Sequence, residues 1–64
     1  MIETELRRKI GQAHILPGMS LEKWQQIIRR HCVVIPLENT TRAKLEAIWA
    51  DICREVNKAV VEAV

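Results

Sequence analysis

No glycine or proline interrupts the last part of this chain, from Thr40 to Val64. Apolar side chains recur there in alternating steps of four and three residues, at Leu45, Trp49, Ile52, Val56, Ala59 and Ala63. This spacing predicts one long amphipathic helix with a heptad-like apolar seam. Ile48, Cys53 and Val60 make the seam broader than a two-stranded zipper needs. We therefore expect part of it to pack on the chain's own helices.

A shorter helix is predicted at the start of the chain, where apolar residues again recur at helical spacing. These residues are Ile2, Leu6, Ile10 and Ala13. The sequence Leu16-Pro17-Gly18-Met19 ends this helix, because the residue before a proline disfavours the helical conformation and glycine accommodates a turn.

A second short helix is predicted to begin after Ser20, whose hydroxyl suits an N-cap. Its apolar stripe consists of Leu21, Trp24, Ile27 and Ile28. The β-branched run Val33-Val34-Ile35 allows a brief extended segment, and Pro36 prevents this helix from running on into the third. Leu37 is placed to pack under the turn.

A chain of 64 residues has room for one domain, which we assign to residues 1–64. With 48% hydrophobic residues, the chain is apolar enough to fold. We predict an all-α fold, a small three-helix domain in which two shorter helices pack on the long C-terminal helix. The expected core consists of Leu6, Ile10, Leu21, Trp24, Ile28, Leu45, Trp49, Ile52 and Val56.

The small size of the chain favours association with a second subunit. A domain this short buries only roughly 60% of the surface of its unfolded chain, so it gains from disulfides, metals or oligomerisation. The last turns of the third helix carry apolar residues around much of their circumference, which indicates that a partner covers some of them. The alternative explanation is that most of these residues belong to the chain's own core and one or two valines are simply exposed. We predict a homodimer, whose interface consists of Trp49, Val56, Ala59, Val60, Val61, Ala63 and Val64.

No pattern in the sequence indicates metal binding or catalysis. The carboxylates of Glu46, Asp51 and Glu55 are expected on the exposed side of the third helix, as a solvated face rather than a catalytic pair. The residues of zinc-ligand type lack the spacing of structural zinc sites. They are His14, His31, Cys32 and Cys53. We therefore expect no enzymatic activity, no cofactor and no metal.

Nucleic-acid binding by a helix-turn-helix is the alternative function. The third helix starts after Asn39-Thr40-Thr41, any of which suits an N-cap, and Arg42 and Lys44 follow. Such polar and basic side chains suit a recognition helix in the major groove, where Thr40, Thr41, Arg42 and Lys44 are the candidate contacts. Two features speak against it: the connection before Asn39 is longer than the usual turn, and the net charge is only +2.

Together these features favour a small, non-enzymatic protein–protein interaction module, acting as a homo-oligomeric accessory or regulatory protein. Its partner is expected to be a second copy, with another protein as the alternative. No membrane association is expected, because the longest apolar run, from Cys32 to Leu37, is too short to span a bilayer. Two cysteines do not make a disulfide scaffold, so we expect a reducing, cytoplasmic setting.

Overall fold

The computed structural model describes residues 2–33 and 37–63, and side chains as far as Val61. Over these residues the chain forms three α-helices, which are α1 (Glu3–Gln12), α2 (Leu21–Arg30) and α3 (Arg42–Ala63). Short 3₁₀ turns follow α1 at Ala13–Ile15 and precede α3 at Leu37–Asn39. The described residues contain no strand, so the predicted all-α, three-helix architecture is confirmed. The extended segment predicted at Val33-Val34-Ile35 lies largely outside them.

The helix boundaries follow from local capping. The Oγ of Ser20 accepts a hydrogen bond from the backbone N–H of Lys23 at 3.2 Å, as its position before α2 predicts. Of the three candidate caps for α3, Thr41 provides the hydrogen bond, since its Oγ1 accepts from the N–H of Lys44 at 3.4 Å. No helix of the described residues is long and apolar enough to cross a membrane.

Helix α2 ends in a left-handed turn at Cys32, whose φ is 56°. The N–H of Cys32 donates to the carbonyl of Arg29 at 3.0 Å, and the N–H of Val33 donates to the carbonyl of Ile28 at 3.5 Å. This pair of bonds is the Schellman pattern, which most often places glycine at the left-handed position. The turn directs the chain away from α2.

The core forms where α1 and α2 pack on the first half of α3. Its buried residues are Leu6, Ile10, Ala13, Ile27, Ile28, Leu37, Leu45, Ile48 and Ile52. Five residues predicted for the core are among them. Three more predicted residues, Trp24, Trp49 and Val56, are half-buried against its edge. Leu37 packs under the second turn as expected.

The prediction that Leu21 belongs to the core is wrong, since this side chain is 53% exposed. Leu21 shares the apolar stripe of α2 with Ile28, but it lies about 10 Å further from the C-terminal end of that helix. The stripe is covered at Ile27 and Ile28 and uncovered in the first turn of α2. Helical periodicity gives the direction of a side chain, whereas the offset of the packed helices along their axes decides its burial.

Side-chain hydrogen bonds from Trp24 and Arg7 connect α1 with α2 and with the second 3₁₀ turn. The indole N–H of Trp24 donates to the backbone carbonyl of Ile10 at 2.8 Å, which joins α2 to the end of α1. The guanidinium of Arg7 donates to the carbonyls of Leu37 at 3.0 Å and Thr40 at 3.3 Å. These bonds tie α1 to the second 3₁₀ turn, which is itself closed by the N–H of Thr40 donating to the carbonyl of Leu37 at 3.1 Å.

Candidate functional site

Helix α3 lies between the other two helices, and its two flanks differ in chemistry. On one flank, Asp51 and Lys44 meet His31 at the end of α2. On the other flank, Trp49 faces the end of α1 and the turn that follows it. The first flank is polar and the second is apolar, so an association surface is expected on the second.

A groove of about 300 Å³ opens between Trp49 and the end of α1. Its lining residues, which define the groove below, are Lys9, Gln12, Ile15, Leu16 and Trp49. Ile15 is 74% exposed, which is unusual for a large aliphatic side chain beside a half-buried tryptophan. The groove is therefore an open apolar surface with polar side chains at its edge.

The groove continues along α3 as a row of side chains that we call the α3 seam. It consists of Trp49, Cys53, Val56 and Val60, in successive steps of four, three and four residues. Three of these residues are half-buried, whereas Val60 is 54% exposed. Steps of three and four keep side chains on one face of a helix, so the seam is a continuous strip.

The charged residues between Trp49 and Val60 lie on the side of α3 opposite the seam. At about 100° per residue, they fall within an arc of about 100° centred roughly 180° from the seam. They are Asp51, Arg54, Glu55 and Lys58. The outer margin of the seam carries Ala50 and Asn57, which are exposed and uncharged. The seam therefore lies in a neutral face of the helix.

Some of the residues predicted for the interface are exposed in the structure and others are partly covered by the chain itself. Val56 and Ala59 are half-buried beneath the turn at Gly18, which lies against both. Val60 is exposed on the seam, and Val61 is 73% exposed about 100° further around the helix. The side chain of Ala63, and the whole of Val64, lie outside the described residues. Of the residues predicted for the interface, Val60 is the one that is exposed and lies on the same face of α3 as Trp49.

Ile15 and Leu16 complete this surface, and sequence reasoning did not assign them to it. Both follow the end of α1, where the helical period no longer predicts which way a side chain points. The available signal was the pair of large apolar residues directly before Pro17, at a position where a solvated turn is expected to be polar.

The four candidate nucleic-acid contacts engage the chain itself. Thr40 is buried, and its carbonyl accepts from Arg7. Thr41 caps α3. The Nε of Arg42 donates to Glu46 at 3.1 Å, and the Nζ of Lys44 donates to the carbonyl of His31 at 3.1 Å. Arg42 and Lys44 remain exposed, and surface bonds of this kind are weak, so both cations stay accessible at the start of α3.

A second, more polar cavity of about 440 Å³ lies at the start of α3. It is lined by Cys32, Val33, Glu38, Asn39, Thr40, Thr41 and Lys44. Both cysteines are free thiols, with Cys32 exposed and Cys53 half-buried. Within the described residues, no group of three or more His, Cys, Asp or Glu side chains is arranged to hold a metal ion.

The prediction that Asp51 lies on the exposed side of α3 is wrong. Its Oδ2 accepts a hydrogen bond from the Nε2 of His31 at 2.6 Å, and both side chains are largely buried. This bond holds the pKa of the Asp51 carboxyl below its usual value, and the nearby charges of Arg54 and Arg30 lower it further, against the effect of burial. The pair links α2 to α3 across their polar contact.

Comparison of the chain with protein-family models, with curated proteins and with solved structures gives no match.

Proposed function

We propose that this chain is a small, non-enzymatic protein–protein interaction module that associates with itself through the α3 seam and the adjoining groove. The observation that carries the proposal is that exposed Ile15 lies beside half-buried Trp49, and that the seam leads from Trp49 to exposed Val60 with no charged residue of that segment on its face. Contiguous apolar surface of this kind marks association sites, whereas isolated exposed apolar residues do not. An accessory or regulatory role as a homo-oligomer fits a module of this size.

The composition of the surface also supports the proposal. Aromatic residues are enriched at the centres of interfaces, where charged residues are depleted. Trp49 lies in the middle of the surface, and the charged residues of the same helical turns lie on the far side of α3. Fully burying a valine or isoleucine side chain stabilises by about 1.5–3 kcal/mol, and covering Ile15 and Val60 recovers part of that in each subunit.

The affinity expected from this surface is modest. Association costs at least about 4 kcal/mol in lost translational and rotational freedom, so a few half-exposed side chains give micromolar rather than nanomolar binding. A reversible, concentration-dependent dimer is therefore the expected species.

The proposal is tested by placing a carboxylate in the seam. Val60→Asp buries an unpaired charge in the dimer and should shift the protein to monomer in sedimentation velocity. Val61→Asp is the matched comparison, since it makes the same change on an adjacent exposed valine that lies outside the seam. Equal dissociation constants for wild type and Val60→Asp would refute the assignment of the surface.

DNA binding at the start of α3 remains the rival prediction. Under it, Arg42→Ala with Lys44→Ala weakens duplex binding and reduces its dependence on salt. Absence of duplex binding by the wild-type protein at about 50 mM salt, where non-specific affinity is high, would exclude this function.

A further inference from the structure

The residues of the α3 seam have the same spacing whether they are counted from the N-terminal or the C-terminal end of the seam. Its steps of four, three and four residues are symmetric about a point between Arg54 and Glu55, two residues that themselves point away from it. If two α3 helices pair antiparallel about a twofold axis at this point, Trp49 of each copy faces Val60 of the other. Cys53 then faces Val56 of the second copy. A symmetric spacing is what antiparallel self-pairing requires.

We propose that the groove receives Val60 of a second copy of this chain, through antiparallel pairing of the two seams. This proposal rests on the proposed self-association and adds its geometry to it. Each subunit has one groove lined by Trp49 and one exposed valine, Val60. The two residues are three helical turns apart, which is about 16 Å along the axis of α3. A twofold axis fills both grooves at once, so the surface is complete in the dimer and incomplete in the monomer.

The distribution of charge favours a second copy as the occupant. A twofold contact brings identical residues close together near its axis, so charged residues there would repel their own copies. In this segment the charged side chains lie on the opposite arc of α3, and Ala50 and Asn57 form the margin of the seam. A partner recognised by charge would need fixed charges in the groove, and of its lining residues only Lys9 supplies one.

The area required points the same way. A standard interface covers about 800 Å² of each partner, which is roughly one sixth of the 4594 Å² that this chain exposes. Helix α3 has 22 residues, so it is about 33 Å long, and a strip about 10 Å wide along it covers roughly 330 Å². A lone helical segment would cover little more than that strip. A second copy also covers Ile15 and Leu16 beside α3, so its contact is larger than the strip alone and closer to the area that a specific interface needs.

Thiol cross-linking tests this arrangement. The variants Ala50→Cys and Asn57→Cys are made separately in a background with Cys32→Ser and Cys53→Ala, so that each chain holds one thiol. Because Cys53 belongs to the seam, cross-linking is done at a concentration where this background sediments as a dimer. Both introduced thiols are exposed on the margin of the seam.

In the proposed pairing, residue 50 of one copy lies on the same side as residue 57 of the other, about 3 Å away along the axis. Their backbones are separated by roughly the 8–10 Å between packed helices, which is beyond a disulfide but within reach of a short bifunctional thiol reagent. Two copies of residue 50 are about 13 Å apart along the axis alone.

The expected result is a covalent heterodimer when the two variants are mixed and treated with the reagent, with little cross-linking of Ala50→Cys alone. Lys58→Cys is the matched control, because it is also exposed but lies on the opposite arc and should not cross-link with Ala50→Cys. Efficient cross-linking of Ala50→Cys with itself indicates parallel pairing and overturns the inference. The inference is also overturned if the double-cysteine-free protein sediments as a dimer but the mixed variants give no cross-linked product, and in that case self-association itself still holds. A wild-type monomer at all concentrations overturns both.

Discussion

Gly18 lies directly against Ala59: a Cβ built on Gly18 would be 2.9 Å from the Cβ of Ala59. The φ of Gly18 is 85°, a conformation that other residues seldom adopt. This close approach seats the connection between α1 and α2 on the second half of α3, between the core and the exposed valines. The position of the candidate surface thus depends on a glycine outside it.

Gly18→Ala is expected to destabilise the fold by about 2 kcal/mol, because it forces both a left-handed alanine and a contact that must open. Gly11→Ala is the matched control. A Cβ at Gly11 meets nothing within 4 Å, and alanine is the better helix former, so this change should stabilise by about 1 kcal/mol. Urea denaturation measures both. Equal effects of the two substitutions would contradict the packing of Gly18 on α3.

Cys32→Gly is expected to stabilise the protein by about 1 kcal/mol, because glycine adopts the left-handed conformation at this position without steric cost. Cys32→Ala retains a Cβ and should leave the free energy of unfolding nearly unchanged, which makes it the control. Thermal unfolding of the two variants under reducing conditions measures the difference. A loss of stability in Cys32→Gly would show that the end of α2 is not the turn described.

Arg7→Lys should destabilise the fold by about 1 kcal/mol, since a single ammonium cannot reproduce the two directed bonds to the carbonyls of Leu37 and Thr40. Arg8→Lys makes the same change at the neighbouring, exposed position and should have no measurable effect. Chemical denaturation distinguishes them. The role assigned to Arg7 fails if both variants unfold at the wild-type midpoint.

The hydrogen bond between His31 and Asp51 predicts a stability that depends on pH. Because the pKa of Asp51 is lowered in the folded protein, its contribution is present above the unfolded pKa of about 3.9. It is lost as the pH falls further, through the lower folded value. Asp51→Asn should therefore be less stable than wild type near neutral pH, and the difference should shrink below about pH 4.

The control for this prediction is Glu46→Gln, which removes a carboxylate from an exposed pair with Arg42 and should cost at most a few tenths of a kcal/mol. The free energy of unfolding is compared across the acid range for wild type and both variants. A difference between wild type and Asp51→Asn that is constant with pH would contradict the assignment.

The sequence predicts the helices well because their period, caps and prolines act locally. The three helices, the cap at Ser20 and the burial of Leu45 and Ile52 follow from those signals. It does not predict which parts of a stripe another helix covers. Leu21 lies on the correct face of α2 and is still exposed, because that decision depends on how the helices are offset along their axes.

At the candidate surface, too, the sequence predicts the features that depend on local signals and not those that depend on tertiary packing. Periodicity places Trp49 and Val60 on one face of α3, and both were predicted for an interface. Ile15 escaped prediction because it lies in a 3₁₀ turn, where the direction of a side chain depends on tertiary packing. The partnership of Asp51 with His31 joins residues from different helices, and no local pattern encodes it.

Sedimentation velocity of the wild-type protein over a series of concentrations measures whether this chain associates with itself. The monomer mass is 7.4 kDa. A surface of this size predicts a reversible shift towards twice that mass, with a midpoint in the micromolar range. A single species at the monomer mass up to about millimolar concentration, where even weak specific dimers form, would contradict the claim.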